Sequence, residues 1–252
     1  MTEAQKSPNA TAPVEIKSGT ELPARREEIE LRTSDGLTLV GELAMPLERE
    51  PVATLVTLHP LPTAGGFMDS HVLRKASLRL PAQADLAVLR FNTRGTTSPR
   101  GTSDGEFGDG ETERADVEAA MAFVRERGLP NPWLVGWSFG TELALKHGHE
   151  HGDVQGLILL SPPLRRTSQT ELDQWADASI PVVLVVPEHD DFLKPDEAAA
   201  RIAHLPNLEL VPVDEGRHLW VGEKQTRRVL TEIVQRTNPA ALPLSSSWPT
   251  GE

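Results

Sequence analysis

The run Gly136-Trp137-Ser138-Phe139-Gly140 sets a serine between two glycines, each two positions away. Residues 133–137 before it are apolar, and 141–149 after it have helical period, so the serine is expected on a strand-to-helix turn. Such a turn lifts the hydroxyl above the sheet on a strained backbone, and flanking residues without a β-carbon let strand and helix approach. Ser138 then also heads a helix, whose dipole favours negative charge developing on a substrate. The same pattern occurs in turns that merely pack a helix on a strand. Its weight therefore comes from its strand-and-helix context and from partners further along the chain.

A serine hydroxyl is a poor nucleophile until a base takes its proton, and that base needs a third group to hold its tautomer. After the apolar run 181–187 the chain reads Glu188-His189-Asp190-Asp191-Phe192-Leu193-Lys194-Pro195. Asp190 is preferred as the orienting acid, with Asp191 second and Glu188 behind both. Asp191 or Asp196 also suits a helix-capping role. After the run 208–213 comes Asp214-Glu215-Gly216-Arg217-His218-Leu219-Trp220, and His218 is the only histidine beyond that run. It is the expected base.

A developing oxyanion needs two backbone N–H donors. One is expected from Phe139, next to the serine, and the other from His59-Pro60-Leu61-Pro62-Thr63-Ala64-Gly65-Gly66. Prolines cannot donate, so Leu61 is the best candidate for the second N–H. His59 reads first as a packed, hydrogen-bonded loop residue and second as a pocket residue. Trp137 and Trp220 flank the candidate serine and histidine and are candidates for the substrate pocket; a core position is an equal reading for Trp137.

These residues need elements to place them. Segments 28–32 and 37–45 alternate apolar and polar residues around Asp35-Gly36, the pattern of an antiparallel hairpin. Runs 52–59, 87–92, 133–137, 154–160, 181–187 and 208–213 are short and nearly continuous in apolar residues, as strands covered on both faces are. Helical period occupies 68–80, 111–126, 141–149, 196–205 and 223–235. Alternating strands and helices imply right-handed crossovers. The expected fold is α/β, with a mostly parallel eight-stranded sheet and helices on both faces. Ligands in such sheets bind beyond the carboxyl ends of the strands, where the candidate residues fall.

With these elements in place, the chain resembles the α/β-hydrolase superfamily over residues 28–235. It is most similar to small bacterial hydrolases with a His-Pro-x-Pro…Gly-Gly-x-Met-Asp segment, matched by residues 59–62 and 65–69. Their Leu-Arg-Phe-Asn strand end and following Arg-Gly are matched by residues 89–92 and by Arg94-Gly95. Their Gly-Phe-Ser-Phe-Gly turn corresponds to residues 136–140. Two departures stand out: Leu61 replaces the second histidine of His-Pro-His-Pro, and Pro187-Glu188 replaces Gly-Glu before the acid loop. The first removes a side-chain contact to the oxyanion and leaves the backbone donor; the second bears on the tilt of the acid loop. The resemblance implies hydrolase chemistry and leaves the substrate open.

Composition narrows the partners. The 252 residues carry 25 basic and 37 acidic side chains, a formal charge of −12. Such a surface repels phosphate backbones and anionic headgroups, so neither nucleic acid nor membrane is an expected partner. The absence of cysteine excludes disulfides, thiolate metal sites and cysteine nucleophiles. No secretory core or membrane-length apolar run is visible, and a cytoplasmic protein is expected. Residues 1–23 read as a polar, disordered leader, 24–237 as one domain and 238–252 as a loose tail.

Two features invite other chemistry. His147, His149 and His151 suggest a metal site, but Gly148 and Gly152 mark a helix end there, where polar and cationic residues need no ligand. The loop 94–110 has the composition of a phosphate cradle but lacks the Walker spacing, and its acids oppose an anion. No metal or cofactor is expected. Only residues 161–180 separate the neighbouring strand runs, too few for a cap domain, so the site should be open and shallow. The expected activity is cleavage of a carboxylic ester or related acyl bond on a small molecule. A thioesterase, a peptidase and a non-catalytic small-molecule binder are the alternatives, and oligomeric state is left open.

Overall fold

Near-continuous runs of leucine and β-branched residues pair into one sheet in the computed structural model, which describes residues 13–249. Its eight strands are β1 (Arg25–Arg32), β2 (Thr38–Met45), β3 (Ala53–Leu58), β4 (Leu86–Phe91), β5 (Pro132–Trp137), β6 (Gly156–Leu160), β7 (Val182–His189) and β8 (Leu208–Arg217). Their spatial order is β8-β7-β6-β5-β3-β4-β2-β1. The leading hairpin is antiparallel, with Leu31 opposite Leu39, and β2 runs antiparallel to β4. The other pairings are parallel.

Helices α1 (His71–Ala84) and α6 (Glu223–Thr237) cover one face. Helices α2 (Arg114–Glu126), α3 (Phe139–His147), α4 (Gln169–Asp173) and α5 (Pro195–Ile202) cover the other. Strand alternation feeds both layers: Leu157 and Leu159 face the α2–α5 side, and Ile158 and Leu160 face α1 and α6. The order places β3 between β4 and β5, so the chain moves from β3 to β4 on one side and then crosses back over β3 to β5 on the other. A crevice opens at such a switch point, beyond the strand ends. Because Leu58 pairs with Gly136, the loop after β3 lies beside the loop after β5.

The expected loose ends are corrected in part. Residues 1–12 and 250–252 lie outside the described residues, and the expectation for them stays there. Val14–Glu15 pairs antiparallel with Ser247–Trp248, and Ile16, Leu22 and Leu244 are buried. The Leu22 N–H donates to the Leu78 carbonyl, and Arg227 donates to the carbonyls of Leu244 and Ser245. Average composition over these segments is polar, but a few apolar anchors suffice to seat them. Strand β8 also runs past Val213 to Arg217, where Asp214-Glu215-Gly216 reads locally as a turn.

Candidate active site

The serine turn is built by steric need. Ser138 has φ 53° and ψ −115°, a conformation rare for a residue with a side chain. Its N–H donates to the Leu160 carbonyl, and its carbonyl accepts from the Thr141 N–H and hydroxyl. A β-carbon on Gly136 would lie 2.4 Å from the Gly140 carbonyl oxygen, and one on Gly140 would lie 2.0 Å from that of Leu58. Both glycines are therefore required by close backbone approach.

The structure brings Ser138, His218 and Asp190 into one hydrogen-bonded line. Ser138 Oγ lies 2.9 Å from His218 Nε2, and His218 Nδ1 lies 2.9 Å from Asp190 Oδ2. Asp190 and His218 are buried, whereas Ser138 is half-buried. The other oxygen, Asp190 Oδ1, accepts the N–H groups of Phe192 and Leu193 at 2.8 and 3.2 Å. Oδ1 thus fixes the acid's own loop and also lies 3.1 Å from His218 Nδ1, while Oδ2 meets the imidazole alone at the shorter distance. Asp191 is exposed, and Glu188 accepts the Glu215 N–H instead. Pro187 is tolerated because its strand has stopped pairing with β6 by then, and the ladder to β8 shifts register after it.

Sequence reasoning missed what holds the histidine. The His218 carbonyl accepts from Trp137 Nε1 and Ser161 Oγ, both at 3.1 Å. The next carbonyl, of Leu219, accepts from His71 Nε2 at 2.6 Å. The loop carrying His218 is therefore tied to β5, to the end of β6 and to α1. An indole N–H at the end of a strand was visible in the sequence, but not its partner.

Ser138 and His218 open into a cleft of about 200 Å³. Leu61, Phe139, Pro163 and Phe192 supply apolar walls, and Arg165 and Arg166 supply charge. Neither the Leu61 N–H nor the Phe139 N–H donates to another group among the described residues. Gly65 turns the Leu61 loop at φ 83°, and a β-carbon on Gly66 would meet the Pro60 carbonyl oxygen at 2.1 Å.

Trp137, Trp220 and His59, the sequence candidates for the pocket, do not line this cleft. Both tryptophans are buried in the α1/α6 layer, because side chains alternate along β5 and Trp137 falls on the face away from the opening. His59 is fully buried: its Nδ1 donates to the Pro60 carbonyl, and its Nε2 accepts the Thr93 N–H.

Burial pushes the His59 imidazole from the usual 6.5 down to about 4, against the Pro60 hydrogen bond, which favours the charged form. The unfolded chain takes up this proton near 6.5 and the folded chain only near 4. Stability from His59 is thus present above the unfolded value and lost as pH falls towards the folded one. The expected loss is about 3 kcal/mol between pH 6.5 and 4. Urea unfolding of wild type and His59→Gln across that window checks it. The variant should show a shallower acid dependence, and equal slopes would remove His59 as the cause.

The three neighbouring histidines do not converge. His147 Nε2 meets the Gly110 carbonyl oxygen at 2.8 Å, while His149 lies edge-on to Trp175. Among the described residues no three histidine or carboxylate side chains gather as metal ligands. The loop 94–110 is tied to its flanking segments: Glu113 accepts the N–H groups of Gly108 and Gly110, and Arg94 pairs with Asp116 and Asp35. Also among the described residues, no helix is long and apolar enough to cross a membrane.

No family model and no curated protein matches the chain. Solved structures do. An α/β serine hydrolase homologue from Coxiella burnetii superposes with a TM-score of 0.71 at 22% identity, over 83% of this chain and 96% of its own. A Xanthomonas campestris α/β serine hydrolase without a lid gives 0.68 at 25% identity, over 90% and 100%. A Pyrococcus furiosus esterase gives 0.66 at 19% identity, over 85% and 93%. The chain thus has the α/β-hydrolase fold, and its structural neighbours are serine hydrolases and esterases.

Proposed function

We propose that the chain is a serine hydrolase that cleaves carboxylic esters or closely related acyl bonds. The observation that carries this reading is the continuous line from Ser138 Oγ through the His218 ring to the Asp190 carboxylate, with both contacts at 2.9 Å. Ser138 Oγ attacks the substrate carbonyl carbon, and its proton passes to His218 Nε2. Asp190 stabilises the resulting imidazolium. The carbonyl oxygen becomes an oxyanion, and the free N–H groups of Leu61 and Phe139 receive it. Collapse breaks the bond to the leaving oxygen, which takes the proton from Nε2 and departs as an alcohol. Water then attacks the acyl-enzyme as His218 removes its proton, and the carboxylic acid leaves with Ser138 restored.

The strained serine supports catalysis over mere binding, because a binding pocket has no need of φ 53° at this position. The segment between β6 and β7 holds only the five-residue α4, so small acyl groups suit the site. A fluorophosphonate probe tests the reading directly. The expected adduct, mapped by mass spectrometry, is on Ser138, together with faster hydrolysis of 4-nitrophenyl acetate and butyrate than of the dodecanoate. An adduct on Ser103 or Ser161, or none, would end this assignment.

A further inference from the structure

The charges around the cleft run against those of the molecule. The chain as a whole carries −12, yet among the described residues no carboxylate lines the opening beside Ser138 and His218. The charged side chains that line it are Arg165 and Arg166. Arg166 is neutralised: its Nε lies 2.6 Å from Asp109, and its guanidinium lies over Phe139. Arg165 is different. Among the described residues its guanidinium has no carboxylate within 4.0 Å and makes no hydrogen bond. Its one contact of note is with the Phe192 ring, 4.7 Å away, and that ring packs edge-on to His218 at 4.5 Å.

The backbone beneath Arg165 is held firmly. Glu142, fully buried in α3, accepts the N–H groups of Arg165 and Arg166 at 2.8 and 2.7 Å and the Thr167 hydroxyl at 2.8 Å. An unpaired guanidinium is thus presented on a fixed loop, one aromatic ring away from the candidate base. A free cation in a concave, partly apolar site attracts an anion far better than one on open surface.

We propose that the cleft selects esters bearing a carboxylate, and that the Arg165 guanidinium receives it. This rests on the serine-hydrolase reading above. Two pairs of esters test it and locate the carboxylate: 4-nitrophenyl hemiglutarate against 4-nitrophenyl pentanoate, and 4-carboxyphenyl pentanoate against phenyl pentanoate. The readout is the anionic-to-neutral ratio of kcat/KM. Arg165 is exposed at the cleft mouth, so in Arg165→Gln the ratio of at least one pair should fall by about fivefold, the upper scale of an ion pair at an exposed arginine. Arg165→Lys should retain part of the preference, and added salt should weaken it in wild type. Unchanged ratios in both pairs, or equal losses on anionic and neutral esters, would overturn the proposal. Failure of the hydrolase reading shows separately, as an unlabelled Ser138. In that event an NMR titration of Ser138→Ala with monomethyl glutarate decides, with weaker binding when Arg165→Gln is added supporting anion recognition and unchanged binding refuting it.

Discussion

Replacing Ser138 with alanine should lower kcat for 4-nitrophenyl acetate by about 10⁴- to 10⁶-fold and leave the fold intact. The hydroxyl has one side-chain partner, His218 Nε2, and packs no core. The turn is held by backbone groups the substitution does not touch, namely the Leu160 carbonyl and the N–H of Thr141. Circular dichroism and the thermal midpoint should therefore stay close to wild type while turnover collapses. Residual rate above water should persist, because the oxyanion donors and the cleft remain. Turnover near wild type in a purified, folded variant would remove Ser138 from the mechanism.

Asp190→Asn should cost about 10⁴-fold in kcat, and Asp191→Asn no more than about twofold. The contrast follows from how the two oxygens of Asp190 are used. Oδ1 accepts the Phe192 and Leu193 N–H groups, and an asparagine oxygen can keep both bonds. The amide NH₂ then faces His218 Nδ1 in place of Oδ2. A donor there favours the tautomer with the proton on Nε2, which cannot accept the serine proton. The protein should stay folded, and the loss should fall on kcat far more than on KM. Asp191 is exposed, and the side-chain hydrogen bonds of His218 and Ser138 do not involve it. Steady-state kinetics on both purified variants checks the order, and the reverse order would move the acid by one residue.

Much of the candidate site was legible because its chemistry is written in contiguous residues. Gly136 and Gly140 announce a turn that only glycine permits, and the distances to Gly140 and Leu58 show why. Acid and histidine each follow an apolar run, so the sequence alone puts both at strand ends. The helices on both faces followed from the alternation of strand and helix periods. Contacts between distant segments were not legible. Nothing local in the sequence says that the Trp137 indole and the Ser161 hydroxyl meet on the His218 carbonyl. Leu22 and Leu244 were lost in polar averages, although each has a buried seat in the folded chain.

The division has a physical basis. Turn geometry and strand parity depend on neighbours within a few residues, and the order of serine, acid and histidine is the order of the chain, so the sequence by itself determined them. The walls of the cleft depend on which loops converge above the sheet and on the face each side chain takes there. Tertiary structure therefore decided that Trp137 and Trp220 turn inward and that His59 is sealed between Pro60 and Thr93. It also decided that Phe192 and Arg165, from loops after two different strands, stack at the mouth. A side chain's partner across the fold is chosen by packing of segments far apart in the chain, and no local pattern encodes that choice.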